Sequence, residues 1–266
     1  MLTQNDVTII MISFYLEEVL FKTIDRLIEV TKYPYRLVVG DNFSDNSNKI
    51  RKRLKEYVDG GKIDKVYFFN KNFKAKNTKF IFNKEPKTKF TVLTDSDAYI
   101  LNRSTDCWLT DFINKFESNK EIGLISFSSL NSPTQITSTG GDKHERVKKV
   151  KKLVNGDFCV KGPNNKCHHN GHYMTFKTEL LKNLPNKIFT DGAIMSQLKE
   201  SKNKSLRYDK NSVLNLSTIV SGFKDFNIPN VDLIENKNYL QIRNKSGDLT
   251  NSPDIKENDY IIYTKK

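Results

Sequence analysis

The 266-residue sequence has few cysteines, no internal repeat and no apolar run long enough to cross a membrane. The longest apolar run near the start, residues 7–12, is far below the ~20 residues that a spanning helix needs. No basic and apolar targeting signal precedes it. Three cysteines, Cys107, Cys159 and Cys167, are an odd number, which argues against a disulfide framework. We therefore expect a soluble protein of the cytoplasm, a reducing compartment.

Acidic residues are also scarce relative to basic ones. The chain has 44 Lys and Arg against 31 Asp and Glu, a formal charge of +13 and an isoelectric point of about 9.4. This excess favours polyanionic partners such as nucleic acid, an anionic membrane face or phosphorylated substrates. Abundant Lys, Asn, Ile and Phe are also typical of an AT-rich genome, which raises the lysine content for no functional reason. The charge therefore predicts a class of partner and says nothing about the fold.

Short apolar strands and amphipathic helices alternate along the first hundred residues. Strands are predicted at 7–13, 35–40, 65–70 and 90–94, and helices at 16–30 and from about residue 48. Strand, helix and strand in this order form a βαβ unit, in which the two strands are parallel. We expect an α/β fold with a mostly parallel central sheet flanked by helices.

The strand predicted at 90–94 runs directly into Asp95-Ser96-Asp97. Side chains two residues apart on an extended segment point the same way, so both carboxylates can face one cation. Ligands of open α/β sheets gather at the carboxyl ends of the strands, where this segment would lie. Mg²⁺ and Mn²⁺ are held by one or two carboxylates together with substrate phosphates. The alternative is a solvated turn.

Seven short segments occur along the chain in an order that is typical of a protein family. They are residues 7–10, 41–47, Ala75-Lys76-Asn77, Thr94-Asp95-Ser96-Asp97, 106–109, 122–127 and 171–177. In sequence and order they resemble the GT-A glycosyltransferases, particularly the inverting group called family 2, over residues 7 to about 195. The resemblance implies the GT-A fold, which is Rossmann-like, and transfer of a sugar from a nucleoside diphosphate donor.

The resemblance also implies roles for four donor-side residues. Asp41 would bind the base of the donor by accepting from a ring N–H, as in uracil. Asp95 would contact the ribose and the water shell of the metal, and Asp97 would ligate Mn²⁺ or Mg²⁺ directly. Lys76 would approach the diphosphate in place of an arginine, as a point charge without the bidentate fork. The alternatives are a helix cap or Asx turn for Asp41 and a solvated surface lysine for Lys76.

Two positions depart from the pattern of the family. The catalytic base of the family is the Asp of a Glu-Asp pair, whereas this chain has Thr190-Asp191. Asp191 would be the base, with Asp157 or a retaining mechanism as alternatives. Asn215 stands where a late histidine often supplies a third metal ligand. An amide oxygen can coordinate Mg²⁺, so Asn215 remains a candidate ligand.

Three of the four histidines lie in Cys167-His168-His169-Asn170-Gly171-His172. A zinc site would use Cys159, Cys167 and two of these histidines, but the spacing matches no usual structural pattern. We instead expect His172 to line the pocket near the donor sugar or the acceptor. A polar surface loop is the expected setting for the other two histidines.

A basic segment at residues 143–152 belongs to a predicted short helix, 143–153, with Val147, Val150 and Val154 facing inward. Its cations include Lys148, Lys149, Lys151 and Lys152. In the acceptor half of a transferase such a face favours a polyanionic acceptor or a membrane surface. A merely solvated face is the alternative.

These observations predict one GT-A domain in which residues 1–102 bind the nucleotide sugar and 103–216 bind the acceptor and carry out catalysis. Residues 217–266 would be an appendage of unknown role. The expected activity is metal-dependent transfer from a UDP-sugar to an acceptor hydroxyl, by inversion, with a retaining course left open. A hydroxymethylated base in DNA is the favoured acceptor, because compact basic GT-A proteins look like phage enzymes, which act in the host cytoplasm. The alternatives are a glycan built at a membrane face and a non-enzymatic module that binds polyanions.

Overall fold

The computed structural model of the protein describes residues 6–44, 48–85, 87–101, 106–129, 172–182, 194, 203–216 and 253–265. The elements of the first hundred residues are β1 (Val7–Ser13), α1 (Glu17–Val30), β2 (Arg36–Asp41), α2 (Asn48–Asp59), β3 (Lys65–Phe69), α3 (Lys76–Lys84), β4 (Phe90–Asp95) and β5 (Ala98–Leu101). The later elements are α4 (Trp108–Ser118), β6 (Ile122–Ser129), β7 (Met174–Lys177), α5 (Thr178–Lys182), β8 (Lys204–Asn215) and β9 (Tyr260–Thr264).

All nine of these strands belong to one sheet, in the order β5-β8-β6-β7-β4-β1-β2-β3-β9. The strands β4, β1, β2 and β3 are parallel neighbours, as expected from the βαβ pattern. The strands β6 and β8 run in the same direction, whereas β5, β7 and β9 are antiparallel to their neighbours. The predicted α/β fold is confirmed. Because β1 to β4 are parallel, their carboxyl ends lie at one edge of the sheet, called here the carboxyl edge.

Hydrophobic cores on both faces of the sheet explain why its central strands are apolar at almost every position. One core includes Ile9 of β1 and Trp108 of α4, while the other includes Ile10 of β1 and Ile81 of α3. A Cβ on Gly40 would lie 2.5 Å from the Cδ1 of Ile81, so the side chain of Ile81 fills the space that glycine leaves on β2. Helix α3 therefore packs closely against β2 at this position.

The strands of the two predicted halves interleave in this sheet. Strand β5 comes from the first half but pairs with β8 at the edge farthest from β3. Strand β9 comes from the predicted appendage, residues 217–266, and pairs antiparallel with β3 at the opposite edge. Residues 217–252 of the appendage lie outside the described part of the chain. Within the described part of the chain, no helix is both long and apolar enough to span a bilayer.

A buried carboxylate joins β2 and β3 at their amino ends, opposite the carboxyl edge. Glu85 Oε2 accepts from Arg36 at 3.0 Å, and Oε1 accepts from Lys65 at 2.8 Å and from the Tyr67 hydroxyl at 2.5 Å. Burial acts to raise the pKa of Glu85, but the hydrogen bonds from Lys65 and Tyr67 and the charges of Lys65 and Arg36 together lower it. The carboxylate therefore stays ionised in the folded protein at neutral pH.

Candidate metal and nucleotide site

The carboxyl edge holds all the described non-glycine residues with a positive φ. Tyr15 and Leu16 follow β1, Phe43 follows β2, Lys74 follows β3 and Tyr173 precedes β7, with φ between 50° and 63°. This left-handed conformation is costly for residues with a Cβ, and such outliers cluster at functional sites. Ligands of open α/β sheets also bind at this edge. Backbone strain and sheet topology therefore both indicate a functional site at the carboxyl edge.

The Asp95-Ser96-Asp97 segment turns from β4 into β5 at this edge. The Ser96 N–H donates to the Ile12 carbonyl of β1 at 3.0 Å, and the Asp97 carbonyl accepts from the Leu216 N–H at 2.8 Å. Asp97 is buried, whereas 58% of the Asp95 side chain is exposed. The turn is thus held between two strands, and one of its carboxylates is fixed in the interior.

His172 lies beside the two aspartates although it is far from them in the sequence. Strand β7 pairs with β4 so that Met174 is opposite Leu93, and this register continues to place His172 beside Asp95. The Nδ1 of His172 is 3.7 Å from Oδ2 of Asp95. Candidate ligand atoms of Asp95, Asp97 and His172 all lie within 4.8 Å of one another.

The neighbour of His172 in the chain fixes its position. The fully buried ring of Tyr173 lies 5.5 Å from the ring of Trp108 and 5.6 Å from that of Phe127, between centroids. The backbone of Tyr173 is left-handed, with φ of 50°. Since both the ring and the backbone are constrained, His172 is held at the end of β4 with only 8% of its side chain exposed.

The three side chains form a donor set that suits a divalent cation. Carboxylate oxygens suit Mg²⁺ and Mn²⁺, and an imidazole nitrogen shifts the preference toward the transition metals. The cluster therefore fits Mn²⁺ in particular. Sequence reasoning expected Asp95 and Asp97 at a metal but placed His172 only in the pocket. The pairing of β7 with β4 makes it a candidate ligand, and no local pattern indicates that pairing.

Asn215, the other candidate for a third ligand, ends β8. Its backbone is paired with Ala98, next to Asp97, so the position is adjacent to the cluster. Its side chain lies outside the described set, and a role in metal binding remains a prediction.

Asp41 ends β2 at the same edge and is fully buried. Its Oδ1 accepts from the Ser44 N–H at 3.1 Å, and its Oδ2 lies 3.4 Å from Nε of Arg51. Burial raises the pKa of Asp41, although the hydrogen bonds from Ser44 and the charge of Arg51 act in the opposite direction. The carboxylate thus makes the local turn that was one of the two expected roles. Its role in base recognition stays a prediction.

The next residue, Asn42, connects the loop after β2 to the loop after β3 through hydrogen bonds of its side chain. Its Oδ1 accepts from the Phe73 N–H at 2.8 Å, and its Nδ2 donates to Oδ1 of Asn72 at 2.7 Å. Sequence reasoning did not assign this residue a role. The Asp, Asn and Ser residues at 41–47 predict a turn, but the sequence does not indicate that this turn contacts the loop after β3.

Lys76 is the first residue of α3, at the carboxyl edge. Its Nζ lies 2.8 Å from Oδ1 of Asp254, in the segment before β9. The side chain of Lys76 is 30% exposed and that of Asp254 is 94% exposed. The lysine is therefore ion-paired rather than simply solvated. A contact with a donor diphosphate remains a prediction.

Several predicted site residues lie outside the described part of the chain. They are the candidate bases Asp191 and Asp157, the basic segment with Lys148, Lys149, Lys151 and Lys152, and Cys159, Cys167, His168 and His169. The base, the acceptor surface and the zinc alternative therefore stay predictions.

Comparison with known proteins places the fold among glycosyltransferase structures. No protein-family profile matches the sequence, and no curated protein is significantly similar to it. Solved structures do match. A mannosyltransferase from Pyrobaculum calidifontis, PcManGT, in complex with GDP-Man and Mn²⁺, has a TM-score of 0.54 and 14% identity, over 83% of this chain and 59% of that one. The 1–349 fragment of S. aureus TarS in complex with UDP-GlcNAc has a TM-score of 0.56 and 14% identity, over 83% and 63%.

A third match extends the comparison. GalNAc-T7 with UDP, GalNAc and Mn²⁺ has a TM-score of 0.56 and 12% identity, over 79% of this chain and 44% of that one. The chain spans about six tenths of the length of the first two structures and less than half of the third. At these identities the likeness establishes the fold. The architecture is the GT-A architecture that the motifs implied.

Proposed function

We propose that the protein is a metal-dependent glycosyltransferase that moves a sugar from a nucleoside diphosphate donor to an acceptor hydroxyl. One observation carries the proposal: Asp95, Asp97 and His172 converge at the carboxyl edge of a GT-A sheet. The similar structures support it, since PcManGT was solved with GDP-Man and Mn²⁺ and GalNAc-T7 with UDP, GalNAc and Mn²⁺.

The cluster would hold Mn²⁺ or Mg²⁺, with Asp97, Asp95 and His172 as ligands and Asn215 as a further candidate. When bound, such an ion neutralises the charge that grows on a departing diphosphate. Lys76, at the start of α3, adds a second positive charge for the phosphates. The buried carboxylate of Asp41 accepts an N–H of the base, which favours a UDP-sugar.

Asp191 is proposed as the general base. It takes the proton of the acceptor hydroxyl as this group attacks the sugar on the face opposite the nucleotide, which inverts the anomeric centre. The transition state resembles the oxocarbenium ion of glycoside hydrolysis. If the base is Asp157, or if the enzyme retains configuration, Asp191 has no such role.

The acceptor is proposed to be polyanionic, with a hydroxymethylated base in DNA favoured over a glycan at a membrane face. The support is the net charge of +13 and the run of lysines at 148–152. An enzyme that glycosylates a base must dock in the major groove or extrude the nucleotide.

A screen of nucleotide sugars with Mn²⁺ tests the proposed activity. We expect one of them to raise the melting temperature of the protein, and mass measurement of candidate acceptors to show an added sugar. Asp97→Asn should abolish both effects without unfolding the protein, because a candidate ligand loses its charge. Glu56→Gln, an equal charge change on the exposed face of α2, serves as the control.

The base assignment is tested in the same assay. Asp191→Asn should keep the thermal shift with the donor and lower turnover by about two orders of magnitude or more. If Asp97→Asn retains normal turnover, the metal assignment is wrong. If the protein binds DNA but no nucleotide sugar with any metal, it is a binding module and not a transferase.

A further inference from the structure

The segment before β9, residues 253–259, lies at the carboxyl edge. Because β9 is antiparallel to β3 and Tyr260 is paired with Phe69, the chain enters β9 where β3 ends. The Asn70 N–H donates to the Asp259 carbonyl at 2.9 Å, and Nδ2 of Asn70 donates to the Asn258 carbonyl at 3.2 Å. A carboxylate oxygen of Asp259 lies 3.3 Å from Nζ of Lys71. The segment is therefore attached to the loop after β3 that leads to Lys76.

An apolar contact fixes the middle of the segment. Ile255 packs against the core on the α3 face of the sheet, and the ring of Tyr260 lies 4.8 Å from that of Phe80, between centroids. Asp254 comes before these anchors and is almost fully exposed, yet its carboxylate reaches Nζ of Lys76 at 2.8 Å. The carboxylate of Asp254 thus pairs with the ammonium group of Lys76, which the proposed function assigns to the donor diphosphate.

The start of α3 offers an anion more than one charge. The Lys76 N–H already donates to the Phe73 carbonyl at 3.1 Å, and the Thr78 N–H donates to Oδ1 of Asn77 at 2.7 Å. The first turn adds the positive end of the helix dipole to the charge of Lys76. Phosphates bind readily in such positions, and a diphosphate carries more negative charge than a single carboxylate. The ion pair of Lys76 with Asp254 is exposed on the aspartate side, so it is weak and easily exchanged.

We propose that Asp254 is a built-in competitor of the donor: its carboxylate holds Lys76 in the donor-free protein and is displaced when the donor diphosphate binds. This inference rests on the proposed function, which assigns Lys76 to the diphosphate. It adds a residue that sets donor affinity, from a part of the chain for which the motifs predict no role. Because the diphosphate would replace Asp254 as the partner of Lys76, donor binding would detach Asp254 from α3.

An alternative role for Asp254 has the opposite sign. If the carboxylate orients Lys76 toward the donor and stays with it, its removal leaves the lysine less ordered and weakens donor binding. If it competes, its removal frees the ammonium and strengthens donor binding. The direction in which removal of the Asp254 carboxylate changes donor affinity therefore distinguishes a competitor from a positioning residue.

Titration with UDP in the presence of Mn²⁺ tests the proposal on the full chain. We expect Asp254→Asn to lower the Kd for UDP by about two- to fivefold, the range of a weak exposed ion pair. Glu257→Gln makes the same charge change three residues away on an exposed side chain and should leave the Kd unchanged. Binding of uridine, which has no phosphate, should be the same in all variants.

A double variant assigns the effect to Lys76. In a Lys76→Gln background, Asp254→Asn should have no further effect on the Kd for UDP, because the two groups act through one contact. An unchanged or raised Kd in the single Asp254→Asn variant overturns the competitor role while the wild type still binds UDP. If UDP binds neither the wild type nor any variant, the proposed function fails and this inference fails with it.

Discussion

Among single residues, Asp97 and Asp95 differ in burial although they are two positions apart. Asp97 is buried, and its backbone carbonyl is tied to β8, whereas the side chain of Asp95 is more than half exposed. A buried carboxylate and an exposed one suit different tasks, because the first can fix the position of an ion and the second can also contact a substrate group. This difference agrees with the separate roles that the resemblance implies for the two residues.

His172 and Asn215 are the two candidates for a third ligand of the proposed metal, and binding measurements can decide between them. We expect His172→Ala to weaken Mn²⁺ binding by at least about tenfold, since even a residue that only supports a ligand costs that much. Asn215→Ala should have a smaller effect. Isothermal titration with Mn²⁺ alone measures both variants, and His172→Asn tests whether an amide replaces the imidazole. A larger loss for Asn215→Ala would reverse the assignment.

Among the helices and strands, the sequence predicted the type of each element more closely than its ends. The first strand was predicted at its observed bounds, Val7–Ser13. The strand expected at 65–70 ends at Phe69. The helix expected at 16–30 begins at Glu17, since Leu16 adopts a left-handed conformation. Element type was therefore predictable from local patterns, and these two ends differ from the prediction by one residue.

The Glu85 network predicts how β2 and β3 respond to acid. The folded state lowers the pKa of Glu85, so its contribution to stability is complete above the ordinary glutamate pKa of about 4.3. That contribution is lost as the pH falls below about 4.3 and through the lower pKa of the folded state. Urea unfolding of the wild type should show this loss, and Glu85→Gln should remove it.

The same substitution should lower the free energy of unfolding at pH 7 by about 2 kcal/mol, because Arg36 and Lys65 lose a charged acceptor. Glu117→Gln is the matched control, since Glu117 forms a single exposed ion pair with Lys89 at 2.8 Å. Such a surface pair contributes little to stability, because water and salt screen it. Equal effects of the two substitutions would mean that the buried network contributes no more than a surface pair.

For the whole molecule, the excess of positive charge predicts how the acceptor binds. If the acceptor is duplex DNA, binding should weaken steeply with salt, each phosphate contact adding roughly 0.9 to the slope of log K against log salt concentration. Replacing Lys148, Lys149, Lys151 and Lys152 by Gln should flatten this slope and raise the KM for the acceptor. Donor hydrolysis should stay normal.

A control variant with the same change in net charge distinguishes binding by the basic segment from a general effect of the positive charge of the protein. The exposed lysines Lys52, Lys84, Lys120 and Lys265 are replaced by Gln together. An equal loss in both variants would mean that the basic segment is only a solvated face. Binding to anionic vesicles but not to DNA, with the sugar found on a glycan, would replace the DNA acceptor by the membrane alternative.

Much of this architecture follows from patterns that neighbouring residues carry. Apolar periodicity defines the strands and helices of the first hundred residues, and the step from an apolar run to Asp95-Ser96-Asp97 marks the end of β4. These features need only short-range information, because burial and strand geometry repeat over two to four residues. The candidates Asp95 and Asp97 come from such a pattern, whereas Asp41 and Lys76 come from the resemblance to the GT-A family, and all four lie at the carboxyl edge.

Contacts between distant segments came only from the folded chain. The pairing of β7 with β4 brings His172 to the aspartates, and the pairing of β9 with β3 brings Asp254 to Lys76. Strand order in a sheet depends on which hydrophobic faces pack together and on the cost of closing long loops, and neither is encoded at one position. The amino-acid pattern therefore supplied the strands and most donor-side candidates, whereas tertiary pairing supplied the third candidate ligand and the partner of Lys76.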